Sequence, residues 1–410
     1  MLHAQIKRAL PICVPLLAIL LSVIFSQLLV PQIAGTMHIT TDPDRLYELA
    51  ANISSGRGFV YDAPRGVIPA LDRGPVYPYL LSAVFILAGG PSIVAAQVLN
   101  ALLFGGTAFL VYLIGIEFLN RRAALLAGLV TAVHPFLLWY TARVWVETAL
   151  MTILLLGILT LFRLVRGPSF GKACFAGLVL GTAILVKSIL LPFVVVAGVL
   201  LLTHLGRRFL GKATVMVLVA FLVVLPWTLR NYAVTGMFLP VQTTLGFNMI
   251  VGDVLGEHWF EHPGSTSEIW TLAKQRADSI LGGGTASLFD VEGDQVLVHA
   301  SMEENRNHPA AFVRRLFLNA SSFWYLSESS AKSVVVAILE FPLAVVLLVA
   351  STRLKRRHSG QVLLVVTVWY FVVVHTMVAG WARYSEPIVP LCILLAVALW
   401  KQNWRQTPRL

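Results

Sequence analysis

Long hydrophobic runs separated by short polar segments recur along almost the whole chain. A helix needs about 20 predominantly apolar residues to cross a bilayer. Runs close to that length predict about ten membrane-spanning helices, at 9–30, 93–118, 123–142, 148–162, 173–186, 188–203, 213–229, 333–352, 360–381 and 387–400. The pattern therefore predicts an all-α polytopic membrane protein.

Two further segments need an interpretation. The apolar stretch 78–90 is short and lies between proline-rich and glycine-rich sequence, so we interpret it as an interfacial or partly inserted helix. Lys7 and Arg8 precede the first hydrophobic run as they would in a signal peptide. That run is longer than a typical signal core and no clear cleavage site follows it, so we expect it to be retained as a helix.

Composition and charge agree with a membrane protein. Hydrophobic residues make up 57% of the chain and charged residues only 12%. The net charge of +11 does not indicate nucleic-acid binding, because more than half of the 31 basic residues fall between alternate predicted helices and at the termini. Only Glu117 among the 20 acidic residues joins them. Positive charge marks the cytoplasmic side, so both termini are predicted to be inside.

This topology divides the chain into three regions. Residues 1–230 form an N-terminal transmembrane module that includes an outer loop at 31–92. Residues 231–332 form a large outer loop, and residues 333–410 form the C-terminal transmembrane helices. No inverted repeat of the kind common in transporters is evident.

The first outer loop carries polar residues that suggest chemistry. Asp42-Pro43-Asp44 precedes an amphipathic run that ends at Gly56, and either aspartate is a suitable helix cap. Asp42 also lies just beyond the membrane surface, where the head group of a lipid substrate would be. Arg73 is suited either to anchoring on lipid phosphate or to binding a phosphorylated substrate.

Later candidates fall at the predicted outer ends of helices. Glu147 lies four residues after Arg143, which is the spacing of an ion pair on one helix face. The alternative is that Glu147 faces the same outer cavity as Asp42. Lys187 is isolated in an apolar turn, where it either reaches towards the membrane surface or binds an anion. Arg383 and Tyr384 lie at the outer end of the last helix.

Other ionisable residues are weaker candidates. Glu340 and His375 lie within predicted spans, where neighbouring helices can satisfy them. His258 and His262 have helical i, i+4 spacing, which a divalent metal can use. Pro263 follows at once and no third ligand is evident, so we expect no cofactor and keep a divalent metal as the alternative.

The order of these motifs resembles the GT-C superfamily of polytopic glycosyltransferases. The resemblance covers residues 40 to about 390, and each motif alone is weak. The motifs are Asp42 to Ala50 (D-x-x-x-L-x-x-L-A), Gly56-Arg57-Gly58, Arg73 to Pro78 (R-x-P-x-Y-P), His134-Pro135 with Tyr140 and Glu147, Pro226-Trp227 with Asn231-Tyr232, and Arg383-Tyr384 before Pro387. The chain is most similar to glycosyltransferase family 39, in the bacterial branch related to protein O-mannosyltransferases and the lipid A aminoarabinose transferase.

The resemblance implies roles for individual residues. Asp42 aligns with the catalytic aspartate, with Asp44 as the alternative, and Glu147 aligns with a second acidic residue. The residues implied to bind the donor phosphate are Lys187, Arg383, Tyr384 and Arg73. Arg73-Gly74-Pro75 departs from the family's arginine and double proline, and the paired Asp-Glu motif of eukaryotic protein mannosyltransferases is absent. These departures leave the acceptor open.

The implied activity is transfer of a sugar from a polyprenyl-phosphate donor to a lipid, glycan or protein acceptor, with inversion. Its implied place is the periplasmic face of a bacterial inner membrane, with membrane lipids and no nucleic acid as partners. The main alternative is a lipid-linked sugar flippase or transporter, which would favour charged mid-membrane helices and short outer loops. A surface-polysaccharide polymerase or ligase and a structural membrane protein are further alternatives.

Overall fold

The computed structural model describes residues 2–34, 44–64, 66–258, 266–282, 287–353 and 359–401. Helices dominate this part of the chain, which confirms the all-α prediction. The helices of the main bundle are Leu2–Ile24, Val30–Ala34, Ile93–Phe118, Arg121–Ala132, Pro135–Thr141, Glu147–Arg166, Phe170–Val186, Leu190–Leu205, Leu210–Thr235, Ser330–Thr352, Ser359–Met377 and Val389–Lys401. A π-helical turn, Phe25–Leu29, joins the first two helices, and 3₁₀ turns lie at Arg207–Phe209, Ala382–Tyr384 and Glu386–Ile388.

Each predicted span coincides with one of these helices or with a bent pair. Seven helical segments of the described chain are long and apolar enough to cross a membrane: Pro11–Ile33, Ile93–Phe118, Glu147–Arg166, Arg207–Thr235, Ser330–Thr352, Gly360–Met377 and Ala382–Trp400. The predicted span 123–142 is a pair of helices bent by 53°. The break precedes Pro135, whose ring cannot donate a backbone hydrogen bond. The predicted spans 173–186 and 188–203 are the shorter helices Phe170–Val186 and Leu190–Leu205, of 17 and 16 residues.

Close helix packing fixes the helix Phe170–Val186, which ends next to the candidate site. Gly177 and Gly181 form a small-xxx-small pair that faces the helix Leu210–Thr235. A Cβ atom at Gly181 would lie 2.7 Å from the Ala220 carbonyl oxygen, and one at Gly177 would lie 2.8 Å from the Val219 Cβ. Because only glycine allows this approach, the two helices are held at a defined depth.

The first outer segment is a compact unit on the end of this bundle. Its helices are Leu46–Ser54 and Val76–Leu87, and they pack through Tyr47 and Phe85, whose ring centroids are 5.1 Å apart. Between them lies an antiparallel hairpin of strands Val60–Ala63 and Gly66–Pro69, with Val60 opposite Pro69. The hairpin was not predicted. The short helix predicted at 78–90 is present.

The second outer segment has its own apolar core. Its helices are Leu245–His258, Thr266–Leu281, Val291–Asn307 and Pro309–Ser322. Phe247, Ile250, Ile269 and Leu297 are buried together between them. Buried Arg315 donates to Asp253 and, at 2.9 Å, to the Met377 carbonyl oxygen. The segment is therefore anchored on the end of the helix Ser359–Met377.

Candidate active site

One cavity at an end of the bundle gathers charged side chains from distant parts of the chain. Its wall is formed by helix ends and by both outer segments. The polar and charged residues that line it are Asp44, Arg73, Lys187, Gln242, Thr244, Asn248, Arg383 and Tyr384. The predicted donor-phosphate residues therefore lie together although more than 300 positions separate Arg73 from Arg383.

Arg383 is the central cation of this cavity. Its Nε donates to Glu147 Oε1 at 2.8 Å and its Nη2 donates to Glu147 Oε2 at 3.0 Å, which is a bidentate pair. Nη2 also contacts Asp44 Oδ2. Arg383 occupies the 3₁₀ turn before the last helix, and this turn directs its side chain back under the outer segments. One guanidinium group thus joins the two candidate carboxylates.

Glu147 and Lys187 form the floor of the cluster. Glu147 is fully buried as the first residue of the helix Glu147–Arg166, where the helix dipole favours a negative charge. Lys187 follows the last residue of the helix Phe170–Val186 and donates to Glu147 Oε1 at 3.1 Å. Its Nζ also lies 4.7 Å from the centre of the Tyr384 ring. The isolated lysine of the sequence is therefore paired, and it borders the cavity.

Arg73 reaches the cluster from the opposite side. Its Nη2 donates to Asp44 Oδ1 at 3.2 Å, and its Nη1 lies 3.3 Å from Asp72 Oδ2. Gly74 allows the chain next to Arg73 to approach the end of the helix Phe170–Val186, since a Cβ atom at Gly74 would lie 2.8 Å from the Val186 carbonyl oxygen. Burial alone would lower the pKa of Arg73, but the carboxylates of Asp72 and Asp44 raise it above its usual value.

Asp44 lies at the boundary between the first outer segment and the cavity. It was predicted as one of two possible caps of the following helix, but the N-cap residue of that helix is Arg45, whose side chain makes no capping hydrogen bond. Arg45 has a left-handed backbone with φ of 52°, unusual for a residue other than glycine. Burial alone would raise the pKa of Asp44, but Arg383 and Arg73 outweigh it and hold that pKa well below its usual value.

Tyr384 and Asn248 connect the last helix to the second outer segment. The Tyr384 hydroxyl donates to Asn248 Oδ1 at 3.2 Å. His375 stacks on the Tyr384 ring with centroids 4.8 Å apart, and its Nδ1 lies 2.8 Å from the Phe371 carbonyl oxygen. His375 therefore supports Tyr384 from below and does not line the cavity.

Arg143 has a different partner from the one that its spacing predicted. The helix begins only at Glu147, so the two residues do not share a helix face, and the predicted pair is wrong. Arg143 instead pairs with Glu328, and its guanidinium carbon lies 3.7 Å from the centre of the Trp145 ring. Glu340 is buried in mid-helix, 3.8 Å from His134, and it does not line the cavity.

Some candidates cannot be located. Asp42 and His262 lie outside the described residues, so Asp42 as the base stays a prediction. His258 ends the helix Leu245–His258. Among the described residues no group of three or more His, Cys, Asp or Glu side chains could hold a metal ion. The carboxylates of the cavity have arginine and lysine as partners.

Sequence reasoning missed several residues of the cavity wall. Gln242 and Thr244, Trp270, Phe289 and Trp381 contribute from the second outer segment and the turn before the last helix. Trp270 was detectable in principle, since a tryptophan in an otherwise polar helix is unusual. Glutamine and threonine in a loop carry no such signal.

Comparison with known proteins gives a family match for part of the chain. Residues 72–229 match the family described as dolichyl-phosphate-mannose-protein mannosyltransferase. This range contains Arg73, Glu147 and Lys187. No curated protein sequence matches the chain.

Solved structures with the same fold include the archaeal oligosaccharyltransferase AglB from Archaeoglobus fulgidus. One, tethered with an acceptor peptide, has a TM-score of 0.61, 16% identity and coverage of 97% of this chain and 50% of that chain. Another, in complex with an inhibitory peptide and a dolichol-phosphate, has a TM-score of 0.58, 16% identity and the same coverage. This chain thus spans about half the length of that protein.

A weaker likeness connects the chain with ArnT from Cupriavidus metallidurans bound to undecaprenyl phosphate. The TM-score is 0.44 at 14% identity, with coverage of 96% of this chain and 77% of that chain. The family match and the oligosaccharyltransferase fold agree with the resemblance found in the sequence motifs. Residues 72–229 thus match the mannosyltransferase family model, and nearly the whole chain shares the fold of the oligosaccharyltransferase.

Proposed function

We propose that this protein is a membrane glycosyltransferase that takes a sugar from a polyprenyl-phosphate donor. The observation that carries the proposal is the convergence of three cations with the carboxylates of Asp44, Glu147 and Asp72 at one end of the bundle. Arg73, Lys187 and Arg383 line the cavity, whereas Asp44 is its one acidic lining residue among the described residues. This excess of positive charge suits the phosphate of a lipid-linked sugar. The family match at 72–229 supports such a donor.

The cations would stabilise the leaving group. The bond between the anomeric carbon and a phosphate oxygen breaks, and the electron pair remains on the polyprenyl phosphate. Fixed positive groups aimed at developing negative charge are worth several kcal/mol in a site that excludes water. Arg383 contacts both Asp44 and Glu147, Lys187 contacts Glu147, and Arg73 contacts Asp44. No general acid is needed.

A carboxylate would act as the general base. The acceptor oxygen or nitrogen forms a bond to the anomeric carbon from the opposite side, and its proton goes to the carboxylate. Asp44 lines the cavity and is the better supported candidate, and Asp42 is the alternative. Arg383 and Arg73 make Asp44 a weak base while they contact it. When the donor phosphate competes for these cations, burial will raise the pKa of Asp44 towards a useful range.

Glu147 is better suited to positioning than to proton transfer. It is fully buried and its two oxygens accept three hydrogen bonds, from Arg383 and Lys187. It therefore holds both cations at the cavity wall. The alternative, that it orients hydroxyl groups of a substrate, would require these bonds to be exchanged.

The proposed location is the periplasmic face of a bacterial inner membrane. The helix Glu147–Arg166 begins at the cluster and ends in a basic turn, and Phe170–Val186 returns to the cluster. The cluster and the basic turns are thus at opposite ends of the bundle. Since positive loops stay in the cytoplasm, the cluster would face outward.

A donor-consumption assay tests this function. Protein in lipid nanodiscs is incubated with a panel of polyprenyl-phosphate sugars, and loss of each donor is followed by mass spectrometry. The variants are Asp44→Asn and Asp42→Asn, with Asp62→Asn as the matched control, because Asp62 is an exposed aspartate of the same outer segment. Wild type and Asp62→Asn are expected to consume one donor, and Asp44→Asn is expected to lose this activity.

The other outcomes separate the alternatives. Loss of activity only in Asp42→Asn would assign the base to that residue. Consumption by both aspartate variants would remove the proposed base. If wild type consumes no donor but moves intact lipid-linked sugar between the leaflets of vesicles, the flippase replaces the transferase.

A further inference from the structure

A second cavity lies beside the first, and the Asp44–Arg383 pair forms part of the wall of both. It has a volume of about 290 Å³, against about 90 Å³ for the first. Lys187, Arg73 and Tyr384 line only the first cavity. A molecule in the second cavity would therefore reach the Asp44 carboxylate without contacting Lys187 or Arg73.

Backbone hydrogen bonds join the segments of the chain that form the wall of the second cavity. The Thr266 amide donates to the Ser327 carbonyl oxygen at 3.1 Å, which joins the second outer segment to the segment before helix Ser330–Thr352. The Ala382 amide donates to the Leu326 carbonyl oxygen at 3.0 Å, which joins that segment to the turn of Arg383. The wall of the second cavity is therefore joined by hydrogen bonds to the turn that carries Arg383.

The charges of the second cavity are balanced, unlike those of the first. Its charged lining residues are Asp44, Glu328, Arg143 and Arg383. Arg143 pairs with Glu328, and Arg383 pairs with Asp44. No described residue of its wall offers a surplus charge, so the cavity suits an uncharged molecule better than a phosphorylated or acidic one.

Aromatic rings and hydroxyl groups form the rest of the wall. Trp270 is 37% exposed, and its neighbours Phe247 and Trp381 lie at interplanar angles of 78° and 55°, so neither stacks parallel to it. Trp145 is different, because the guanidinium carbons of Arg143 and Arg383 lie 3.7 Å and 4.0 Å from its ring centre. Trp270 is therefore the ring available for stacking.

We infer that the second cavity binds the acceptor, and that this acceptor is an uncharged saccharide that presents a hydroxyl group to Asp44. The negative face of an indole ring attracts the polarised C–H groups of a sugar ring. Thr266, Ser267 and Ser327 add hydroxyl groups for the other sugar oxygens. An extended peptide would be better served by a strand edge, and the described wall consists of helix ends and turns. This inference rests on the proposed function.

An acceptor panel tests the inference. Wild-type protein in nanodiscs is given its donor with a neutral oligosaccharide, a peptide rich in serine and threonine, or a phosphorylated oligosaccharide. Mass spectrometry follows both donor loss and product. The variants are Trp270→Ala and Trp270→Phe, with Trp400→Ala as a matched control, because Trp400 is exposed at the opposite end of the chain's last helix.

The neutral oligosaccharide is expected to be the best acceptor. Trp270→Ala should raise its KM about two- to tenfold, the range for a lost aromatic contact. The KM of the donor should rise less, although Trp270 also borders the first cavity. Trp270→Phe should recover most of the loss, and Trp400→Ala should match wild type. A KM that rises equally for the donor would instead assign Trp270 to the donor site and overturn the inference.

Two results would overturn the inference in other ways. Preference for the peptide or for the phosphorylated oligosaccharide, with the donor consumed, would refute the saccharide acceptor and leave the transferase intact. Failure to bind or consume any lipid-linked donor would refute the proposed function, and the inference with it. Donor binding measured without an acceptor distinguishes these two failures.

Discussion

Two sets of ion pairs involve the outer segments, and they differ in what surrounds them. Arg315 and Asp253 are each 4% exposed, and Asp253 also accepts from the Ser301 hydroxyl at 2.5 Å. In the candidate active site, Asp44 and Arg383 are 16% and 18% exposed and line two cavities. One set is closed by protein groups, and the other is open to ligands.

The two sets also differ in how many partners each charge has. In the Asp253–Arg315 pair, each charge has one ionic partner among the described residues, so loss of either leaves a buried charge alone. In the cluster, Arg383 contacts two carboxylates and Asp44 contacts two arginines. Shared partners allow one interaction to be exchanged for a substrate phosphate while the remaining charges stay compensated.

The largest effect is expected for Asp44→Asn on activity. The variant removes a general base, a contribution of about 10²- to 10⁴-fold in kcat. Thermal unfolding should change little, because Arg73 retains Asp72 and Arg383 retains Glu147. Turnover and melting temperature measured on the same preparation check both parts. A large loss of stability would show that Asp44 has a structural role, as Asp253 is expected to have, and would contradict the difference drawn between the two sets of ion pairs.

The reverse result is expected for Asp253→Asn. Arg315 would keep only a carbonyl partner, and breaking a buried pair costs about 3–5 kcal/mol. The melting temperature and the yield of folded protein should fall, whereas turnover per folded molecule should stay near wild type. Size-exclusion chromatography before the assay separates the two quantities. Unchanged stability with lost turnover would show that this pair also serves the reaction.

A smaller loss is expected for Lys187→Met. Removing one group that stabilises developing charge costs about 10²- to 10³-fold in kcat. Lys187→Arg serves as the control, because it keeps the charge beside Glu147 and should retain part of the activity. Equal activity of Lys187→Met and wild type would exclude Lys187 from the stabilisation of the leaving group.

The smallest effect is expected in the pH profile of Arg73→Gln. Arg73 lowers the pKa of Asp44, so its removal moves that pKa up towards its usual value. The carboxylate form then persists over a narrower range, and the acidic limb of kcat/KM for the free enzyme should move to higher pH. Stability from the depressed pKa should also be lost at a higher pH on acidification. If the acidic limb of kcat/KM does not move, Asp44 is not the group whose protonation sets that limb.

The sequence predicted the architecture because the membrane imposes it. Apolar runs must become helices where no water can satisfy the backbone, and each predicted span coincides with a helix or bent pair. The bend before Pro135 and the short helices on either side of Lys187 depend on packing between helices. The hairpin Val60–Pro69 was missed because its few residues lack a clear alternation of polar and apolar positions.

The sequence predicted which residues belong to the candidate site, but not how they pair. Lys187, Arg383 and Asp44 were found as polar residues beside apolar runs, and the family resemblance supplied their roles. Their pairing was not predictable, because Asp44 and Arg383 are far apart in sequence and no local pattern joins them. For Arg143 the sequence instead predicted a pairing that does not form. Four-residue spacing suggested an ion pair with Glu147, but the helix begins too late for the two residues to share a face.

The most direct test of the account is a structure of Asp44→Asn with its polyprenyl-phosphate sugar bound in nanodiscs. The account predicts that phosphate oxygens lie within hydrogen-bond distance of Arg383 and Lys187. It also predicts that the anomeric carbon faces residue 44 and the second cavity. A donor phosphate bound away from both cations, or a sugar directed away from residue 44, would contradict the assignment of this cluster as the transfer site.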